Sequence, residues 1–228
     1  MSVCESETMD RKQAFEFYKQ GDYTAALQCW KPLADAGDAE SQAWIGTLYE
    51  NGQGVPVDDA EAFRWYLRSA QGGNRLAQNN VGAMYGLGRG VAQDYVQAAS
   101  WLERAAEQGD VNAQFNLGVL CAKGKGVAQD IHRSVFWYTR AAEQGHPPSQ
   151  ARLGYLYSGN EGVRKDRVRA FVWLTLASTH GAGNALNVLE TVVGQMSSDE
   201  KEEAQQRLAE YHSRRVVRDI KGKLGPAQ

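Results

Sequence analysis

Hydrophobic positions in this chain recur on two scales. Within a single stretch such as 75–87, Ala77, Val81, Met84 and Tyr85 fall at i, i+4, i+7 and i+8, which is one stripe of an α-helix. Over a longer distance the whole pattern returns every 36 residues. Gly46, Gly82, Gly118 and Gly154 form one column and Val55, Val91, Val127 and Val163 a second. Trp65, Trp101, Trp137 and Trp173 form a third, and Gly73, Gly109, Gly145 and Gly181 a fourth. Four columns in one register predict four copies of one small helical unit, each leaving an apolar face that a neighbour must cover.

Every copy predicts a helix A, a loop and a helix B. In the second copy helix A spans about 75–87, and the loop Gly88-Arg89-Gly90-Val91 supplies a glycine able to end it in the left-handed conformation. The fourth copy has Asn160 where the others have Gly52, Gly88 and Gly124, and Asn is the next residue most tolerant of positive φ. Helix B is expected to start at Asp58, Asp94, Asp130 and Asp166, each accepting a first-turn N–H, with Glu61 and Gln97 completing capping boxes. Ala98, Trp101, Leu102 and Ala105 then face inward and Gly109 closes the helix. Because the tryptophans share that stripe with alanines, they are core rather than a ligand-stacking ladder.

The ends depart from the period. Residues 1–38 read as an atypical capping hairpin with a shortened Gln20-Gly21-Asp22 loop, 39–182 as the four repeats, and 183–212 as C-terminal capping helices. In the last of these Ser197-Ser198-Asp199-Glu200 opens a helix with Ala204, Leu208 and Tyr211 inward. Residues 213–228 read as a basic, frayed tail.

The run SQAWIGTLYENGQGVPVDDAEAFRWYLRSAQGG and its three successors resemble the Sel-like repeat family, relatives of the tetratricopeptide repeats. The likeness extends from about Ala39 to Ala182; Cys121 departs from it in place of the tyrosine at Tyr49, Tyr85 and Tyr157, and Ser134 in place of a helix-B alanine. It implies an all-α fold, a right-handed α-solenoid superhelix of four 36-residue helix–loop–helix repeats with N- and C-terminal capping helices. It also implies a non-enzymatic adaptor or scaffold that binds a protein or peptide on the concave wall lined by the A helices, with no cofactor.

Side chains that the repeat does not dictate point to where such a partner would sit. Opposite the core stripe of helix A stand Ala83, Phe115, Val119 and Tyr155, apolar where water is expected, and Asn79, Asn80, Asn116 and Arg152 flank them with groups able to hydrogen-bond a backbone. These eight are the expected partner-binding residues.

Composition narrows the alternatives. The 25 basic and 27 acidic side chains nearly cancel, so no overall field selects nucleic acid or membrane. Residues 1–114 carry 9 basic and 16 acidic groups, a net of -7, and residues 115–228 carry 16 and 11, a net of +5. That polarity admits weak head-to-tail self-association, and it supplies a second reading. In that reading Arg164, Lys165, Arg167 and Arg169 bind an anionic surface or nucleic acid together with Arg214, Arg215, Arg218, Lys221 and Lys223, although interleaved aromatics are missing. With no apolar run of about 18 residues and no basic-then-apolar start, the expected location is cytoplasmic.

Catalysis finds little support. Cys4, Cys29 and Cys121 have neither disulfide-framework nor zinc spacing, and His132, His146, His180 and His212 share no ligand spacing. Ser198 and Lys201 fit S-x-x-K, which would make the chain a hydrolase, but the S-D-N and K-T-G partners are absent and a helix cap accounts for the serine. No catalytic, cofactor-binding or metal residues are assigned.

Overall fold

The structure, a computed structural model, describes residues 11–160, 162–179, 181 and 184–224, with the backbone alone at 160 and 214–224. Those residues form twelve α-helices and contain no strand. They divide into two compact units, Met1–Asp130 and Ile131–Gln228.

In the first unit, α1 (Arg11–Lys19) and α2 (Tyr23–Asp35) make a hairpin, followed by α3 (Ala39–Asn51) with α4 (Asp59–Gln71), α5 (Arg75–Leu87) with α6 (Tyr95–Glu107), and α7 (Val111–Lys123). The A helices start alike. Asp38, Asn74 and Asp110 adopt extended backbone and accept the N–H of Ser41, Ala77 and Ala113 at 2.8–2.9 Å, satisfying one donor that the helix leaves open. They end alike too, with Gly52, Gly88 and Gly124 at φ of 67°, 69° and 63°. The second loop glycine has a different task. A Cβ on Gly90 would overlap the carbonyl of Asp59, and one on Gly126 that of Tyr95, so these positions let each loop lie against the preceding helix B.

Helix B begins as the sequence indicates at Asp58 and Asp94, whose carboxylates accept the N–H of Glu61 and Gln97 at 2.9 and 3.0 Å. The reciprocal half of the box does not form. The N–H groups of Asp58 and Asp94 go instead to the carbonyls of Tyr49 and Tyr85, closing the loop, and Glu61 pairs with Arg64. Trp65 and Trp101 are buried, each with a guanidinium one turn on, Arg68 and Arg104, lying 4.7 and 4.6 Å from the ring centroid.

The glycine column marks where helices A and B cross. A Cβ at Gly46 would stand 2.8 Å from the Tyr66 ring, and one at Gly82 would stand 2.6 Å from Leu102 Cγ. A further column holds the stack together. Gln42, Gln78 and Gln114 are buried and donate to the carbonyls of Ala34, Ala70 and Ala106 at the end of the preceding helix, at 2.9, 3.2 and 3.1 Å. Each satisfies a helix-end acceptor that would otherwise be buried unpaired.

The second unit comprises α8 (Ile131–Glu143), α9 (Pro147–Tyr155) with a π-helical turn over Leu156–Asn160, α10 (Arg167–Ser178), α11 (Ala185–Gln195) and α12 (Ser198–Leu224). The same devices recur: Gln150 donates to the Ala142 carbonyl at 3.1 Å, Asp166 caps α10, and a Cβ at Gly154 would lie 2.5 Å from Leu174 Cγ. Two details differ from expectation. The positive φ falls on Gly159, at 100°, one residue before Asn160, because glycine takes that conformation at least cost and the widened turn absorbs the shift. The last helix continues to Leu224, past the point where fraying was expected; residues 225–228 lie outside the described ones. Its start is a true capping box, in which Ser197 N–H donates to Glu200 Oε2 at 2.9 Å and Glu200 N–H to Ser197 Oγ at 3.2 Å. Ala204 is fully buried and Tyr211 packs edge-on to Trp173 and donates to the Ala142 carbonyl.

Candidate functional site

In the first unit the outward side chains of the A helices form two unlike regions. On α3, Thr47 and Glu50 converge on the hydroxyl of Tyr66, which donates to Glu50 Oε2 at 2.7 Å and lies 3.0 Å from Thr47 Oγ1. Burial pushes the Tyr66 phenol well above its ordinary pKa, so the group stays a neutral donor. Arg89, from the following loop, then clasps Glu50 at 3.1 Å and Asp59 at 2.7 Å. The hydrogen bond from Arg89 holds the Asp59 carboxyl below its usual range. This region is polar, paired and closed.

One repeat later the columns carry smaller and more apolar groups. Ala83 stands where Thr47 did, Gly86 where Glu50 did, and Leu102 where Tyr66 did. The space those three exchanges release is a groove of about 280 Å³ between α5, α6 and α7. Its deepest lining is Gly82, Ala98 and Leu102. Ala83, Val119 and Asn116 are half-buried along its sides, and Leu87, 72% exposed, stands at its edge. Lys123 and Lys125 complete it, the second donating to Tyr95 Oη at 3.1 Å with its ammonium 4.6 Å from that ring's centroid.

Of the eight residues singled out from the sequence, Ala83, Asn116 and Val119 line this groove. Asn79 adjoins it, accepting from Asn116 Nδ2 at 3.4 Å and donating to Asn80 Oδ1 at 3.4 Å. Asn80 is also engaged with the Tyr66 hydroxyl, so it is tied to the polar region of the first repeat. Phe115 is half-buried on α7. Arg152 and Tyr155 belong to the second unit, where both are exposed. Sequence reasoning missed Leu102, Tyr95, Lys123 and Lys125. The change from Tyr66 to Leu102 at equivalent positions was the signal for the first of these.

The basic residues of the second unit border a cavity of about 730 Å³ with His132, Tyr157 and Glu200. Most are committed to internal partners. Arg167 pairs with Glu200 at 3.0 Å, Arg169 with Asp166 at 3.3 Å and with Tyr157 Oη at 3.2 Å, and Lys165 donates to Gln195 at 2.8 Å. The side chains of Arg214, Arg215, Arg218, Lys221 and Lys223 lie outside the described residues.

Among the described residues no group of three or more His, Cys, Asp or Glu is placed to hold a metal ion, and no helix is long and apolar enough to cross a membrane. Cys29 and Cys121 are buried free thiols; Cys4 and His180 lie outside the described residues. The serine that caps α12 is Ser197, which leaves Ser198 and Lys201 exposed on its first turn.

A family model for the Sel1 repeat matches residues 39–74, 75–110, 111–146 and 147–181, in register with the glycine and glutamine columns. The chain belongs to the Sel1 repeat family. A Sel1 repeat protein from Oxalobacter formigenes is similar at 32% identity with a TM-score of 0.73, covering 79% of this chain and 74% of that one. A protective antigen of uropathogenic Escherichia coli strains, also built of Sel1-like repeats, is 32% identical with a TM-score of 0.76, and the likeness covers 90% of this chain but 45% of the antigen. The curated exopolysaccharide production negative regulator of Rhizobium leguminosarum bv. viciae is 36% identical over 62 residues, 27% of this chain and 23% of the regulator. The chain therefore matches less than a quarter of that relative's length. Sel1 repeats generally mediate protein–protein interaction as scaffolds.

Proposed function

We propose that this protein is a non-enzymatic scaffold that holds a protein or peptide partner on the helix-A wall of its first unit, with the groove between α5, α6 and α7 at the centre. The observation that carries this reading is the groove itself. Exposed Leu87 and half-buried Ala83 and Val119 leave apolar surface in water, while the Asn79 and Asn116 amides stand beside it as donors and acceptors for a main chain. Phe115, half-buried on α7, adds an aromatic ring to this unit, and the second unit by itself exposes Arg152 and Tyr155, a cationic and an aromatic group of the types that dominate interface energies.

The test is affinity capture with the full chain against Ala83→Trp and Val119→Lys. Ala83 and Val119 are not core residues, so both variants should keep their helical circular dichroism and lose capture by at least tenfold. Undiminished capture by both folded variants would remove the groove from the function.

A further inference from the structure

The chemistry of the groove selects among possible partners. Its lining contains two cations, Lys123 and Lys125, and no carboxylate. That is unusual for this unit, whose other basic groups are largely matched. Arg11 pairs with Asp38 and Glu40, Lys19 with Glu16, Lys31 with Asp35, Arg64 with Glu61, and Arg89 with Glu50 and Asp59. Arg68 and Arg104 lie over tryptophan rings. Lys123 has no side-chain hydrogen bond or ion pair with a described residue, and Lys125 has only the neutral Tyr95. Although residues 1–114 carry a net of -7, from 9 basic and 16 acidic groups, at physiological salt that field is screened beyond about 8 Å. What a bound segment meets at contact distance is the lysine pair.

Spacing adds a second constraint. Val119 and Lys123 lie one helical turn apart on α7, about 6 Å along its axis at 1.5 Å per residue. In an extended peptide, side chains on one face recur every second residue, at about 6.6–6.8 Å. In a segment that runs along α7, an aliphatic side chain over Leu102 and Val119 therefore places the side chain two residues away next to Lys123. Asn116 lies three residues before Val119, about 4.5 Å the other way, where its amide and that of Asn79 can meet the peptide backbone.

We propose that the groove recognises an extended segment in which an aliphatic residue and a carboxylate are two positions apart, the aliphatic side chain seated on Leu102 and Val119 and the carboxylate on Lys123 and Lys125. This rests on the groove being the partner site, and it adds the partner's sequence class.

A random heptapeptide library displayed on phage and selected on the immobilised full chain tests both parts separately. Enriched peptides should carry Leu, Ile, Val or Met with Asp or Glu two positions away. The best of them, made synthetically, should lose at least tenfold in affinity to Lys123→Gln/Lys125→Gln and should weaken as salt rises, while the double variant, whose lysines are both exposed, keeps its helical circular dichroism. Peptides selected without an acid, or equal affinity for the lysine variant, overturn the acidic assignment and leave the groove standing. Selected peptides that bind Ala83→Trp and Val119→Lys as well as the wild type overturn the groove and the assignment together. No enrichment above an unrelated helical control protein also overturns the assignment.

Discussion

The second and fourth repeats obey the same columns and yet end their first helices differently. In the second, Asn74 caps α5 through the Ala77 N–H and Gly88 terminates it in the left-handed conformation. In the fourth, His146 occupies the cap position with extended backbone but makes no side-chain bond to the helix N–H groups; its Nδ1 meets Ser149 Oγ at 2.8 Å and two prolines follow. That helix then widens into a π turn and breaks at Gly159. Inside, the two repeats agree closely. Gly82 and Gly154 face a leucine at nearly the same separation, Gln78 and Gln150 donate to the alanine carbonyl eight residues back, and Asp94 and Asp166 cap helix B after giving their own N–H to Tyr85 and Tyr157. What the repeat must preserve is its crossing point and its buried hydrogen bonds. The cap position of the fourth A helix is only half-buried at His146, so water can reach the N–H groups it leaves open and a change is tolerated there.

Four experiments bear on this comparison. The largest difference should come from the tryptophan column: Trp101→Ala removes a buried ring and should cost about 3–5 kcal/mol in denaturant unfolding, whereas Trp173, half-buried, should cost less when truncated. Equal losses would show that the fourth repeat is packed as tightly as the second. Next, Gly82→Leu and Gly154→Leu should each destabilise by about 3 kcal/mol, since even a Cβ comes within 2.6 Å of Leu102 or 2.5 Å of Leu174. Melting temperatures like wild type for either would mean that the helices can separate there.

Smaller effects test the helix ends. Gly159→Ala should cost about 1–2 kcal/mol because a side chain must adopt a φ near 100°; an unchanged melting temperature would show that the turn can relocate. The least change should follow His146→Asp, which supplies the acceptor found at Asp38, Asn74 and Asp110 and should stabilise by about 1 kcal/mol. Burial holds the His146 imidazole below its ordinary pKa, so the folded state favours the neutral ring. Its stability contribution is therefore intact above about pH 6.5, the unfolded value, and is lost as pH falls from there through the lower folded value. Between pH 7 and 5 the wild type should lose stability that the aspartate variant keeps. Parallel pH profiles would show that His146 does not titrate in that window.

Much of this architecture was written in one dimension. Glycines, tryptophans and aspartates 36 residues apart fix the number of repeats, the place of each loop and the buried stripe, because helical periodicity and capping depend on residues a few positions apart. Of the eight positions the sequence marked for a partner, 83, 116 and 119 border the groove and the other five do not line it. Other features needed the third dimension. The capping boxes at Glu61 and Gln97 lost to the tyrosine carbonyls that take the Asp58 and Asp94 N–H groups, a competition between loop and helix that no local pattern reveals. The buried glutamines are periodic in sequence, but their function depends on which carbonyl the neighbouring helix presents. Whether outward positions make a closed polar cluster or an open groove turned on Tyr66 against Leu102, 20 residues beyond Gly46 and Gly82 respectively and brought beside them only by the helix crossing. The sequence by itself determined the repeat and its interior; the tertiary structure decided which surface is open, because an opening depends on side chains from three helices meeting at one place.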